Sequence, residues 1–230
     1  SSLFLQRKFG GHYIPHAVDH TLYDPSLYDR HSLRIKMGLT TDEIIVAFIG
    51  SPGKQKGVEL LIEALHRLLR RGGVYKKLLF MFTGNPKDSY VINTLKLAHD
   101  RLGQEHVLFL GFQPKSREPE LLSISDIIVI PQRYTYSSLG QVPAKVFVAM
   151  SMAKPIVATS ISDLPVILKG CGLIVKPNDV DSIVKALEVL IENPDIARKL
   201  GLLARQRCIE KYSFDAVEKT LKKVIFDLTH

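Results

Sequence analysis

The chain has 230 residues, 46% hydrophobic and 23% charged, with a formal net charge of +8. That length and balance give a globular core and exclude a disordered or fibrous chain, and no apolar run approaches the length of a membrane span. The positive balance favours anionic partners such as nucleotides and sugar phosphates, whereas basic residues spread along the chain with few aromatics beside them speak against nucleic acid.

Residues 1–40 are rich in His, Tyr, Asp and Arg, hold no sustained period and read as a lead-in segment; 41–230 read as one α/β domain. His12, His16 and His20 recur every four residues, but Pro15 breaks the helix that would align them, so no metal site is expected. Residues 14–25 suggest a short strand, a turn and a loop, and 26–38 a short helix stopped by Gly38. From Ile44 the alternation is regular. An apolar strand at 44–49 ends at Gly50, and a helix at 58–71 turns Leu60, Leu61, Ala64, Leu65 and Leu68 inward. A strand at 78–82, a helix at 90–102, a strand at 107–110, a short helix at 118–123 and a strand at 127–130 follow. Pro143 is suited to open a helix, with Val146, Phe147, Ala149, Met150 and Ala153 as its apolar stripe. Pro155 stops it before a strand at 156–158. A strand at 173–175 and helices at 181–192, 196–211 and 214–228 complete the pattern. Short apolar strands alternating with helices about six times predict a doubly wound, Rossmann-like α/β fold with a parallel sheet of about six strands. Cys171 and Cys208 are too few for a disulfide framework or a zinc site, and no export-type leader pattern opens the sequence, so a reduced, cytoplasmic setting is expected.

Ligands of such sheets bind beyond the carboxyl ends of the strands, which selects the loops at 50–57, 84–88, 111–115, 131–144 and 159–165. The first, GSPGKQKG, is not a P-loop, because Gly53-Lys54 comes too early and Gln55 follows. Nor does it hold the G-x-G-x-x-G of dinucleotide folds. What it offers is Lys54 and Lys56 over a helix start, a combination suited to a diphosphate. The amides at 140–144, before the Pro143 helix, suit a phosphate for the same reason.

Several segments then fall into one order: IPHAVD, a strand ending in Gly50, KGVELL, TGNP, FLGF, SDIIVIP, PAKVFVAMSMAKPIVAT, DLP, GLIVKP and KYSF. From about His12 onward this resembles the C-terminal, donor-binding domain of retaining GT-B glycosyltransferases of family 4, the sucrose synthase and mannosyltransferase type. The resemblance implies the C-terminal half of a GT-B fold that binds a UDP- or GDP-linked sugar and transfers a hexosyl group, without a cofactor or an obligatory metal. It implies a separate N-terminal acceptor domain, for which this chain has no room, and hence no turnover by this chain alone. Enzymes of this kind often act on lipid-linked acceptors, which admits peripheral contact with the inner face of a membrane.

Residue by residue, Lys56 matches the family lysine on the donor diphosphate. The position after Gly50, usually arginine, is Ser51, and Lys54 is the available second charge. Gly140, Gln141 and Val142 match the loop whose amides meet the phosphates, with Lys145 as a further phosphate contact. Gly84, Phe112, Gln113 and Pro114 match the positions around the nucleotide base. Two family glutamates, one near the transferred sugar and one on the ribose, correspond to Gly140 and Val148, and a later one to Val166. No acidic residue between Asp126 and Asp163 replaces them, so no residue is assigned to the chemical step. Besides the transferase, the same pattern accommodates a non-catalytic binding or assembly module and a nucleotide-sugar epimerase.

Overall fold

The structure, a computed structural model, describes residues 2–229. Helices α1 (Leu3–Phe9) and α2 (Arg30–Lys36) precede strand β1 (Ile44–Phe48). A 3-10 turn at Lys54–Lys56 leads into α3 (Val58–Leu69), followed by β2 (Leu78–Phe82), α4 (Ser89–Leu102) and β3 (Val107–Phe109). Next come α5 (Glu118–Ile124), β4 (Ile127–Ile130), α6 (Tyr136–Leu139), α7 (Lys145–Ser151) and β5 (Ile156–Thr159). Helix α8 (Leu164–Ile167), β6 (Leu173–Val175), α9 (Val180–Glu192), α10 (Pro194–Tyr212) and α11 (Phe214–Thr229) close the chain.

The strands form one parallel sheet in the order β3-β2-β1-β4-β5-β6, the doubly wound arrangement expected. The winding reverses between β1 and β4, where the carboxyl ends of neighbouring strands send their loops apart and open a crevice. Side chains alternate across each strand. Ile45, Ala47, Met81, Ile128 and Ala158 face one layer with α5, α7, α8 and α10. Val46, Phe48, Phe80, Val129 and Val157 face the other, with α3, α4 and α9. Both faces are covered, which is why the strands read as continuous apolar runs.

The lead-in segment is part of the first layer. Val18 and Tyr23 are buried there. Arg34 is buried as well, donating to the Ile124 carbonyl and, at 2.6 Å, to Asp126 Oδ2, which also accepts the Ile45 amide at 2.8 Å. The strand expected within 14–25 is reduced to one parallel bridge, Val18 to Ser213. Its backbone partner comes from the far end of the chain, so no local pattern sustains a strand.

Helix α7 is shorter than its sequence suggests. It begins at Lys145, two residues after Pro143, with Ala144 as its cap. It ends at Ser151 rather than being stopped by Pro155, because Ala153 turns left-handed (φ 53°). The Ala153 amide then bonds Met150 O and the Lys154 amide bonds Ala149 O, each at 3.0 Å, the paired bonds of a Schellman end. Among the described residues no helix is long and apolar enough to cross a membrane.

Candidate functional site

Beyond the carboxyl ends of β1 and β2 lies a cavity of about 390 Å³. Ile49, Gly50 and Thr83 form its base. Gly50 adopts φ 114°, and its amide donates to Thr83 Oγ1 at 2.8 Å, fixing the end of β1 against the end of β2. One wall is α7, through Lys145 and Val148; the other is the loop after β3, through Phe112, Gln113, Pro114 and Lys115. Glu118 at the start of α5 and His16 from the lead-in segment also reach the lining, with Leu121 and Ala144. The His16 ring stacks on Phe147 of α7 at 5.3 Å.

Lys145 dominates the electrostatics. Its ammonium lies 3.7 Å from the centre of the buried Phe48 ring, and a side chain on Gly50 would come within 3.1 Å of it. The Gly50 backbone thus makes room for a cation at the mouth of β1. Burial pushes the Lys145 pKa down to about 7, the nearby Lys56 charge adds to this, and Glu118 opposes it. Among the described residues no carboxylate pairs with Lys145. Burial, reinforced by Lys115, likewise lowers the His16 pKa. With seven residues α7 has a small dipole, so its charge at this wall comes mainly from the Lys145 side chain.

The expected site residues divide into three groups. Gly50, Lys145, Phe112, Gln113 and Pro114 line the one cavity, with Phe112 exposed and the Gln113 amide held by Leu110 O. Lys56 stands close enough for its charge to act on Lys145. Its loop is clamped to the loop after β4: the Arg133 amide bonds Gln55 O at 2.9 Å, and Gly57 (φ 66°) sits where a Cβ would be 2.1 Å from Pro131 O. Lys54 points elsewhere, into a neighbouring cleft of about 370 Å³ with Arg133, Tyr134 and Asn178. Lys56 does not line that cleft.

Ser51 is exposed outside the cavity lining, and Gly84 serves the backbone. The Gly84 amide bonds Gly111 O at 2.9 Å, and an added Cβ would meet Val91 at 2.9 Å. Gly140, Gln141 and Val142 also lie outside the lining. Gly140 abuts Leu5 of α1, Gln141 is exposed and Val142 packs on the first core layer.

Glu118 and Thr83 are lining residues that the sequence did not single out; His16 was weighed only for a metal, and Lys115 only as the end of the 111–115 loop. The first had a visible signal: it begins a helix immediately after the loop at 111–115, and the first turn of such a helix faces the carboxyl ends of the strands. A second cavity, of about 320 Å³, lies at the amino ends of β1 and β4, between Arg30, Asp126, Lys154 and Arg198. Lys154 is engaged there, donating to Ser123 O and Ser125 O at 2.8 and 2.9 Å. Ligands of doubly wound sheets bind at the opposite pole. Among the described residues no group of three or more His, Cys, Asp or Glu is placed to hold a metal ion.

Comparison with known proteins gives a consistent result. The family model described as Glycosyl transferases group 1 matches residues 29–207. The alpha-maltose-1-phosphate synthase of Mycolicibacterium smegmatis is 29% identical over 224 residues, covering 92% of this chain and 55% of that protein. The chain thus spans about half the length of the curated relatives it matches. Among solved structures, Anabaena HepE in complex with UDP superposes with a TM-score of 0.77 at 19% identity, covering 92% of this chain and 56% of the other. The C-terminal domain of a group 1 family glycosyl transferase from Francisella tularensis gives 0.71 at 21% identity, over 86% of this chain and all of that domain (100%).

Proposed function

From the premise that this chain belongs to the family of glycosyl transferases group 1, we propose that it is the donor-binding half of a glycosyltransferase acting on a nucleotide-diphosphate hexose. The cavity beside β1 takes the nucleotide. Its diphosphate lies between Gly50, Lys145 and Lys56, and its base lies against Phe112, Gln113 and Pro114. UDP or GDP is the carrier, in keeping with the UDP held by the Anabaena neighbour. The acceptor and the rest of the catalytic site come from an N-terminal domain, so the chain alone binds donor without transferring sugar. The setting is cytoplasmic, with peripheral contact at a membrane where the acceptor is lipid-linked.

One observation carries this reading: Lys145 holds an ammonium in a recess between Phe48 and Gly50 with no carboxylate partner among the described residues. An unpaired, desolvated cation is costly unless an anion completes it, and a diphosphate fits the loop that surrounds it. In transfer, the bond between the anomeric carbon and the diphosphate oxygen breaks and its electron pair stays on that oxygen. The acceptor oxygen bonds to the carbon and passes its proton to the departing diphosphate oxygen. Lys145 and Lys56 are placed to stabilise the charge that grows on the leaving diphosphate.

Gly140 against Leu5 and Val148 in the cavity wall favour a second reading, a binding module without catalysis. Titration calorimetry with UDP- and GDP-sugars tests donor binding itself. The donor reading expects binding to the wild-type protein, weakened at least tenfold in Lys145→Ala and Lys56→Ala. Absence of binding, or affinity unmoved by both changes, contradicts it. Sugar transfer by a form carrying the N-terminal domain would exclude the second reading.

A further inference from the structure

We propose that Glu118 accepts hydrogen bonds from the ribose hydroxyls of the bound nucleotide, a contact for which α7 offers only Val148. The inference rests on the donor-binding reading above.

Glu118 enters the cavity from α5, on the wall formed by the loop after β3. Its Oε2 accepts the Tyr23 hydroxyl at 2.6 Å. Tyr23 is itself fixed: it is 3% exposed, and its carbonyl accepts Ser151 Oγ at 2.9 Å and an Arg205 guanidinium N–H at 3.0 Å. A buried phenol anchored to two helices thus holds the carboxylate in one orientation. The other oxygen, Oε1, accepts no hydrogen bond among the described residues.

The chemistry of the cavity identifies what that oxygen meets. Lys145 and Lys56 stand at the β1 end, and the exposed Phe112 ring and its loop, which also carries Lys115, stand at the other. A nucleotide with its diphosphate at the first and its base at the second carries its ribose between them. A vicinal diol presents two O–H donors, and an ionised carboxylate is acceptor-only, so the groups match. Val148, on the α7 side, has no polar side-chain atom to offer. Among the described residues Glu118 takes part in no ion pair, so its Oε1 is not already consumed by a cation. The carboxylate thus comes from α5, whose position upstream of Asp126 lies outside the segment around α7.

The test compares UDP and GDP, each beside its 2′,3′-dideoxy analogue, by titration calorimetry. The wild-type protein is expected to favour the ribonucleotide by about tenfold or more, as suits hydrogen bonds to a charged group. In Glu118→Ala that preference disappears; in Glu118→Gln, which keeps the side-chain shape and one acceptor oxygen, it falls to an intermediate value. The Gln variant also reports on the site should the Ala variant fold poorly. A preference that survives in both variants overturns the assignment. So does an equal gain in affinity for both nucleotides, the signature of a mere counter-charge to Lys145. Failure of the wild-type protein to bind any of the four nucleotides removes the donor-binding reading itself, a result distinct from binding with an unmoved preference.

Discussion

The Lys145 ammonium lies over the face of Phe48, 3.7 Å from the ring centre, where the last residue of β1 meets the first of α7. The ring's negative face offsets part of the desolvation of the cation and leaves the ammonium free for a ligand. This arrangement carries a trade between stability and function. Lys145→Met keeps the length and removes the buried charge. It is expected to weaken UDP-sugar binding tenfold to a hundredfold while stabilising the fold at pH 6 by roughly 2 kcal/mol. Thermal melts and calorimetry on the same preparation check both halves; a variant that is less stable at pH 6 contradicts the electrostatic account.

The pH dependence follows from the same group. The folded protein holds Lys145 neutral above about pH 7, while the ordinary lysine value is 10.5, so unfolding takes up a proton across that window. Lys154, also pushed down to about 7 by burial, acts in the same sense. Stability therefore rises from pH 7 toward pH 9, and the slope becomes shallower in Lys145→Met. Denaturant midpoints at several pH values measure it.

Donor binding is expected to show the opposite trend. On the proposed mode the diphosphate of a UDP-sugar is held by protonated Lys145, so affinity is expected to fall as pH rises above about 7, accompanied by proton uptake approaching one per site at pH 8. His16, whose pKa is lowered, stays neutral through this range and adds no competing step. Calorimetry in buffers of different ionisation enthalpy counts the protons. Affinity and proton count that are flat between pH 6.5 and 8.5 would remove Lys145 from the phosphate site.

Gly57 makes the Lys56 position available. It takes a left-handed φ of 66° between the 3-10 turn and α3, and packs so closely that a Cβ would stand 2.1 Å from Pro131 O. Gly57→Ala is expected to cost about 2–4 kcal/mol, combining the left-handed backbone with a clash against backbone that cannot yield cheaply. Because the loop must move, donor affinity falls with stability. Chemical denaturation measures the first effect and titration the second.

The polarity of the sheet and the loops at its carboxyl ends were legible in the sequence, because each strand is buried on both faces and appears as an unbroken apolar run. Lys145 was legible too, as the first charged residue after Pro143. The partition of Lys54 from Lys56 was not: it depends on backbone bonds between 55 and 133 and on the approach of Gly57 to Pro131, contacts between distant segments. Glu118 escaped notice, and His16 was weighed only as a metal ligand, for a similar reason. They reach the cavity from α5 and the lead-in segment, and only tertiary packing brings Tyr23 to the Glu118 carboxylate.

Phe112 offers a prediction with little structural cost. Its side chain is 72% exposed and beside the cavity, so Phe112→Ala should leave the melting temperature nearly unchanged. Loss of a stacking surface for the base should weaken nucleotide binding about tenfold, in line with the ~1–3 kcal/mol of base stacking on aromatic side chains. Equal affinity in the two proteins would place the base elsewhere.

The most direct measurement is a crystal structure of the protein grown with UDP or GDP. The account places the diphosphate against Gly50 with the Lys145 ammonium at hydrogen-bond distance, the ribose hydroxyls at Glu118 and the base along Phe112 to Pro114. A diphosphate bound instead between Lys54 and Arg133, or at the opposite pole beside Lys154 and Arg198, would contradict it.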